Sequence, residues 1–345
     1  MIPSRIALIK PSALGDIIHA LPVLSGLRAL YPTAHLTWVV NRSYASLLAG
    51  HPHLDALLPF DRGAGKAGLW AAARSAWQLA RQLRASRFDL VLDLQGLLRS
   101  GLMTAATAAP RRLGFAHARE GAAWFYTERV PVPDPDEHAV DRYWRFIAAL
   151  GGANLPKRFL LPRDEAADAW ASSRLAPWPR PWVAFHLGTR WETKRWPVAH
   201  FARLAQRVTL DHAGTVILIG GSDERPLGSE LLRLQPTGVL NLLGQTSLPQ
   251  LTALLRQVDA VVSNDSGPLH LADALGRPVL APYTCSSPRR TGPYHQPAAA
   301  IATQVWCAAS LIKTCPRLDC MRELTPLRLL PRLDALLTAA RLRSA

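Results

Sequence analysis

Three short stretches of this chain gather hydroxyl, carboxylate and basic side chains at spacings that suit chemistry on a phosphorylated compound. The first is Lys10-Pro11-Ser12-Ala13-Leu14-Gly15-Asp16, directly after a short apolar run. A glycine-containing turn between a strand and a helix sets backbone N–H groups and the positive end of the helix dipole at the lip of a sheet. Anions or developing negative charge are stabilised there. Asp16 at that place can accept a proton from a hydroxyl nucleophile. It can equally be an acidic residue at a helix start, with Gly15 as a turn residue. The stretch lacks the Gly-x-x-x-x-Gly-Lys-Ser/Thr spacing of a Walker A loop.

The second stretch is Asn264-Asp265-Ser266-Gly267-Pro268-Leu269-His270. Pro268 suits a first helical turn, where no N–H is needed, with Ser266 or Gly267 as the cap. The N–H groups around Gly267 and Leu269 would then face a diphosphate, and His270 could donate to one of its oxygens. A capped helix with an ordinary histidine is the alternative. The third stretch runs from Gly188-Thr189-Arg190-Trp191 to Glu192-Thr193-Lys194-Arg195-Trp196-Pro197. Its hydroxyl and basic residues could hold a phosphate, with Lys194 offsetting the charge on a departing nucleoside diphosphate. A solvated basic loop is the alternative, and Trp196 is placed to brace the loop.

Positioning these stretches falls to an alternation of strands and helices. Strands are expected over 6–10, 36–40 and 88–94, with helices over 16–30, 69–85, 97–108 and 137–150. After a Pro-rich interruption at 130–136 and a segment, 161–180, whose proline-rich end reads as a linker, the rhythm restarts. Strands are expected over 182–187, 215–220, 260–263 and 279–283, and helices over 198–211, 248–257, 269–275 and 326–341. Strands joined through helices imply parallel sheets with right-handed crossovers. Two doubly wound halves follow, with the site near the carboxyl ends of the strands in a cleft between them. No short-period repeat is visible.

At 345 residues the chain can form two domains with separate cores, and its 49% hydrophobic and 19% charged residues are a globular composition. No stretch is apolar for long enough to cross a bilayer, and the first residues lead into a strand-like run, so a cytoplasmic location is expected. The net charge of +15 favours anionic partners. Its arginines are scattered over helices without a nucleic-acid motif, which favours an anionic membrane or acceptor over nucleic acid. Cys285, Cys307, Cys315 and Cys320 form no Cys-x-x-Cys pair, so inert packing is expected rather than a metal site. Trp70 and Trp77 share a helical face at a spacing expected for core.

The motifs resemble those of the ADP-heptose lipopolysaccharide heptosyltransferases. The likeness rests on Ile9-Lys10-Pro11-Ser12-Ala13-Leu14-Gly15-Asp16 with Ile17-Ile18-His19-Ala20-Leu21-Pro22, on Asp93-Leu94-Gln95-Gly96, on Lys194-Arg195-Trp196-Pro197, and on Asp265-Ser266-Gly267-Pro268-Leu269-His270. These recur in order across most of the chain. Some members of the family carry threonine where Ser266 stands, which keeps the hydroxyl.

The resemblance implies a GT-B fold of two Rossmann-like, doubly wound α/β domains, at about 1–165 for the acceptor and 175–325 for the nucleotide sugar. The last helix, about 326–345, would return to the N-terminal domain. It implies an inverting transfer without metal or other cofactor, from ADP-heptose to an anionic glycolipid acceptor of the lipopolysaccharide inner core, with peripheral contact to the inner membrane and no nucleic acid partner. Asp16 would be the base. Thr189, Lys194, Asp223, Asp265, Ser266, Gly267 and His270 would hold the donor, Asp223 through the ribose. Ser12, Gly15, Arg62, Lys66, Arg99 and Arg119 would face the acceptor, with Arg111 and Arg112 as further basic candidates and a solvated surface as the alternative for most. A related glycosyltransferase using another nucleotide sugar for a cell-envelope glycan, and a nucleotide-sugar-binding protein without turnover, are the alternative readings.

Overall fold

A computed structural model describes residues 2–61 and 68–344. The chain divides into two units, Met1–Pro162 and Arg163–Ala345. In the first, six parallel strands are laid down in the order β3-β2-β1-β4-β5-β6. They are β1 (Arg5–Ile9), β2 (His35–Asn41), β3 (Ala56–Phe60), β4 (Leu90–Asp93), β5 (Arg111–Phe115) and β6 (Glu128–Val130). The central strands β1 and β4 are continuous apolar runs because helices cover both faces of a parallel sheet. These helices are α1 (Leu14–Leu30), α2 (Arg42–Leu48), α3 (Leu69–Ala85), α4 (Leu98–Thr107) and α5 (Ala139–Ala149). Helix α1 is buried on nearly every side from Ile17 to Leu27. At Gly26 a Cβ would stand 2.9 Å from Cγ1 of Ile147, so the glycine sets how closely α5 can approach.

The second unit repeats the plan. Its strands are β7 (Trp182–His186), β8 (Thr215–Ile219), β9 (Val239–Asn241), β10 (Ala260–Ser263), β11 (Val279–Tyr283) and β12 (Ala300–Ala302). They pair in the order β12-β11-β10-β7-β8-β9, the same as in the first unit when each set is counted from its own start. Its helices are α6 (Glu165–Leu175), α7 (Val198–Gln206), α8 (Arg225–Leu234), α9 (Leu248–Gln257), α10 (Gly267–Ala274), α11 (Pro288–Thr291), α12 (Asp319–Glu323) and α13 (Pro326–Ser344). The strand order reverses beside β1 and β4 in one unit and beside β7 and β10 in the other. Ligands of such sheets bind at that reversal, outside the carboxyl ends of the strands. All three chemically suggestive stretches leave those ends.

Several expectations need correction. The segment 161–180 holds an unforeseen helix, α6, capped by Asp164, whose side chain accepts from the Ala167 N–H, and its proline-rich end after Leu175 is free of helix and strand. The expected helix over 198–211 is α-helical only to Gln206, and a π-turn follows. The last helix, expected to return to the N-terminal domain, packs in the core of its own unit. Leu329, Leu333 and Leu337, one per turn, are fully buried there beside Phe201 and Leu204. Each such leucine contributes about 2 kcal/mol of apolar burial. Trp70 and Trp77, expected in the core, are 91% and 60% exposed. Seven residues, about two turns, do align them, but on the side away from the protein body.

One buried histidine ties the fold of the first unit to pH. His51 Nδ1 accepts from the His53 N–H at 3.1 Å, which requires the neutral ring, while Nε2 stands 3.0 Å from the Leu160 carbonyl and donates to it. Burial holds its pKa at about 4, below the ordinary 6.5. Between those values the unfolded chain binds the extra proton, so stability falls as pH drops from 6.5 towards 4. The loss amounts to about 3 kcal/mol. Urea unfolding at pH 7 and pH 4 should show the wild type losing that much more than His51→Gln; equal losses would refute the assignment.

Candidate active site

In the first unit the turn after β1 delivers Asp16 to the third position of α1. Its Oδ2 accepts from the Ala13 N–H at 3.0 Å, a capping role that the helix start favours. The side chain nevertheless remains 43% exposed, with Oδ1 4.0 Å from Lys10 Nζ and 3.3 Å from the Tyr143 hydroxyl, which donates to it. The two readings of Asp16 are therefore compatible: one oxygen caps, the other stays at the surface beside a cation. Lys10 is buried, donates to the Leu94 carbonyl at 3.3 Å and lies 4.9 Å from the Tyr143 ring centre. Burial pushes its pKa down, against the pull of Asp16 and Asp93.

Asp93, the last residue of β4, is fully buried and acts as a brace for the neighbouring turn. Its Oδ1 accepts from the Gln95 and Gly96 N–H groups at 2.9 and 3.1 Å, and its Oδ2 from the Tyr126 hydroxyl at 2.7 Å. Burial outweighs these bonds and raises its pKa. Gly96 in turn presents its carbonyl to the Arg119 N–H at 2.9 Å. The Arg119 side chain is exposed, and its charge, with that of Arg142, is felt at Lys10.

In the second unit the loops after β7 and β10 meet. Lys194 Nζ lies 2.5 Å from Asp265 Oδ2, and its ammonium sits 4.9 Å above the Trp191 ring. Asp265 Oδ1 is 3.3 Å from both His270 Nε2 and the Tyr283 hydroxyl. Burial disfavours the Asp265 carboxylate, but the His270 hydrogen bond and the Lys194 charge win, holding its pKa well below the usual range. Ser266 occupies the N-cap of α10, yet its hydroxyl makes no cap bond. It stands 3.0 Å from His186 Nδ1 and 3.0 Å from Ser263 Oγ. With no side-chain cap, and with Pro268 lacking an N–H, the start of α10 is suited to a bound anion.

Asn264 joins the two loops. Its Nδ2 donates to the Leu187 carbonyl at 2.7 Å, and its Oδ1 accepts from the Trp196 N–H at 3.1 Å. Trp196 is fully buried, with Nε1 donating to the Leu324 carbonyl at 2.7 Å, so it braces the loop as expected. Thr189 is half-buried, and its hydroxyl donates to the Trp191 carbonyl at 2.6 Å. Asp223 is exposed. Its neighbour Glu224, not foreseen in the sequence, turns inward, with Oε2 3.3 Å from His186 Nε2. Two glycines make room for it: a Cβ on Gly188 or Gly220 would come within 2.0 or 1.9 Å of its carboxylate oxygens. Three residues that the motif pattern left without roles, Lys10, Tyr143 and His186, thus touch the candidate residues, and Glu224 reaches them through His186. Only the folded chain brings them there.

The acceptor-side basic residues divide. Arg62 and Lys66 lie outside the described residues. Ser12 is half-buried in the turn before α1, Gly15 is half-buried in the first turn of that helix, and Arg99 is exposed at the mouth of an apolar groove between α3 and α4. Arg111 pairs with Glu128 at 2.7 Å, and Arg112 donates to the Ala109 and Phe125 carbonyls, so both have structural partners. The cysteines are all free thiols. Cys285 is buried behind the Lys194 loop, 3.1 Å from the Thr193 hydroxyl, and burial pushes its thiol up, away from reactivity. Among the described residues no group of three or more His, Cys, Asp or Glu is set to hold a metal ion, and no helix is long and apolar enough to cross a membrane.

Known proteins resemble this chain in sequence and fold. The model of glycosyltransferase family 9 (heptosyltransferase) matches residues 76–320. A lipopolysaccharide heptosyltransferase 1 from Pseudomonas aeruginosa is 31% identical, covering 97% of this chain and 98% of its own. The lipopolysaccharide core heptosyltransferase OpsX of Haemophilus influenzae is 29% identical over 85% of this chain and 82% of its own. Among solved structures, ADP-heptose lipopolysaccharide heptosyltransferase II from E. coli superposes with a TM-score of 0.76 at 27% identity, covering 98% and 99% of the two chains. A family 9 glycosyltransferase from Veillonella parvula reaches 0.82 at 22% identity over 97% of each, which speaks for the fold. With its paired Rossmann-like units of GT-B type and a family match across most of its length, the chain belongs to glycosyltransferase family 9, the heptosyltransferases, and is a glycosyltransferase.

Proposed function

We propose that this enzyme moves heptose from ADP-heptose to an anionic lipopolysaccharide inner-core acceptor, with inversion and without a metal ion, at the cytoplasmic face of the inner membrane. The acceptor hydroxyl attacks the anomeric carbon as its proton passes to Asp16, and the bond to the ADP β-phosphate oxygen breaks with its electron pair leaving on ADP. A one-step displacement needs one base and one stabilised leaving group, rather than the two carboxylates of a glycosidase. Ser12, Gly15, Arg62, Lys66, Arg99 and Arg119 are assigned to the acceptor side. On the donor side, Thr189, Ser266, Gly267 and His270 meet the diphosphate and sugar with Lys194, and Asp265 orients Lys194 and His270.

The observation that carries this reading is Lys194 held at 2.5 Å from buried Asp265, beside the N-terminus of α10. A fixed ammonium and a helix start can together take the charge that a divalent ion would otherwise meet. Asp265, already committed to Lys194 and His270, is a poor ligand for such an ion. For the nucleoside ribose, Asp223 and Glu224 both offer a carboxylate; the enclosed seat of Glu224 favours it. The adenine and heptose assignments draw on the names of the relatives, among them the E. coli ADP-heptose enzyme.

Calorimetry of the protein with ADP, UDP and GDP, without and with magnesium, tests the reading. ADP is expected to bind most tightly, with an affinity that magnesium leaves unchanged. A preference for UDP or GDP would point to a related glycosyltransferase with a different donor. Binding that appears only with magnesium would refute the metal-free route.

A further inference from the structure

Helix α3 carries two faces of different chemistry. At about 100° per residue, Trp70, Arg74, Trp77, Arg81 and Arg84 fall within an arc of about 80°. Ala72, Ala76, Leu79 and Leu83 lie on the opposite side and line an apolar groove of about 470 Å³ against α4. The packing against the protein body is thus made by the second face, and the first points away from it. Trp70 is 91% exposed and Trp77 60% exposed, while the Arg81 guanidinium lies 5.6 Å from the Trp77 ring centre. Neither α3 nor α4 contains an acidic residue.

Two indoles standing in water are costly unless something covers them. What covers them must also match the three guanidinium groups that share their face, Arg74 between the indoles and Arg81 and Arg84 beyond them. A bilayer interface does both: tryptophan settles at the headgroup level, and arginine pairs with lipid phosphate. A single-stranded nucleic acid also stacks on aromatics and pairs with arginine, but it is held in a groove that tracks its backbone. This face is the convex outside of a helix, suited to a plane.

We propose that the Trp70–Trp77 face of α3 docks the enzyme on an anionic phospholipid surface, with both indoles in the headgroup layer and Arg74, Arg81 and Arg84 on lipid phosphates. The proposal deepens the reading of a membrane-borne acceptor and rests on it. Vesicles without donor or acceptor separate the two, because failure to bind them leaves the nucleotide-sugar chemistry standing.

The experiment is sedimentation of the full chain with phosphatidylglycerol-containing vesicles and with phosphatidylcholine vesicles. The wild type is expected to bind the anionic vesicles selectively, less so at high salt. Each arginine near such a surface adds about fivefold in affinity, so Arg74→Gln/Arg81→Gln/Arg84→Gln should weaken binding about a hundredfold. Trp70→Ser/Trp77→Ser should weaken it at least about tenfold. Both variants should keep wild-type ADP binding, which shows that they fold. Arg233→Gln/Arg332→Gln, which removes two exposed charges from the other unit, should leave vesicle binding unchanged. Equal binding by the wild type and the α3 variants overturns the proposal. So does equal binding to both kinds of vesicle, or an α3-dependent affinity for an RNA oligonucleotide above that for vesicles.

Discussion

Lys194→Met is expected to lower kcat by about 10²- to 10³-fold, the usual cost of removing one preorganised group aimed at developing charge. It should also destabilise the second unit by about 3 kcal/mol, because the Asp265 carboxylate is left buried without its cation. The two effects can be separated. In Lys194→Met/Asp265→Asn the orphaned charge is gone, so urea unfolding should recover most of the lost stability while kcat stays low. Recovery of activity as well would make Lys194 a structural residue only. The pH dependence gives an independent check. Lys194 and His270 depress the Asp265 pKa, so the stability from this group is present above the unfolded carboxylate value and lost as pH falls through the lower folded one. In Lys194→Met the folded pKa rises, and the acid loss of stability should begin at a higher pH than in the wild type.

Which parts of this could be read from the sequence follows from where the information lies. The central strands β1, β4, β7, β8, β10 and β11 are apolar runs between turns, and the turns that leave β1, β7 and β10 carry the motifs, so the doubly wound plan and most candidate residues were visible. The outer strands β3, β5, β6, β9 and β12 were not. They have three to five residues each, and β5 opens with Arg111 and Arg112, so nothing in their composition separates them from loops. Helix α6 was hidden by its flanking prolines. The helix over Trp70 and Trp77 was found with its polarity reversed, because periodicity reveals that a face exists and not which way it points. The site was legible as motifs and illegible as contacts. Glu224 reads as one acidic residue beside another until Gly188 and Gly220 leave room for it beside His186. Asn264 reads as a loop residue until its amide spans two loops that are about 70 residues apart in the chain.

Asp16→Asn is expected to cut kcat by about 10³-fold while leaving ADP affinity at the wild-type value, since the group acts on the acceptor hydroxyl and the donor is assigned to the other unit. Asparagine is the informative choice because its carbonyl can still accept from the Ala13 N–H, so the cap of α1 survives. Alanine would remove the cap as well and cost about 1 kcal/mol of stability, mixing a folding effect into the kinetics. The exposed oxygen beside Lys10 and Tyr143 is what asparagine cannot reproduce, because an amide neither carries the charge nor takes a proton. The acid limb of the pH profile of kcat, which reports deprotonation of a base in the enzyme–substrate complex, should therefore disappear in the variant. If Asp16→Asn keeps both its kcat and its acid limb, the carboxylate is a helix cap and the base must be sought elsewhere.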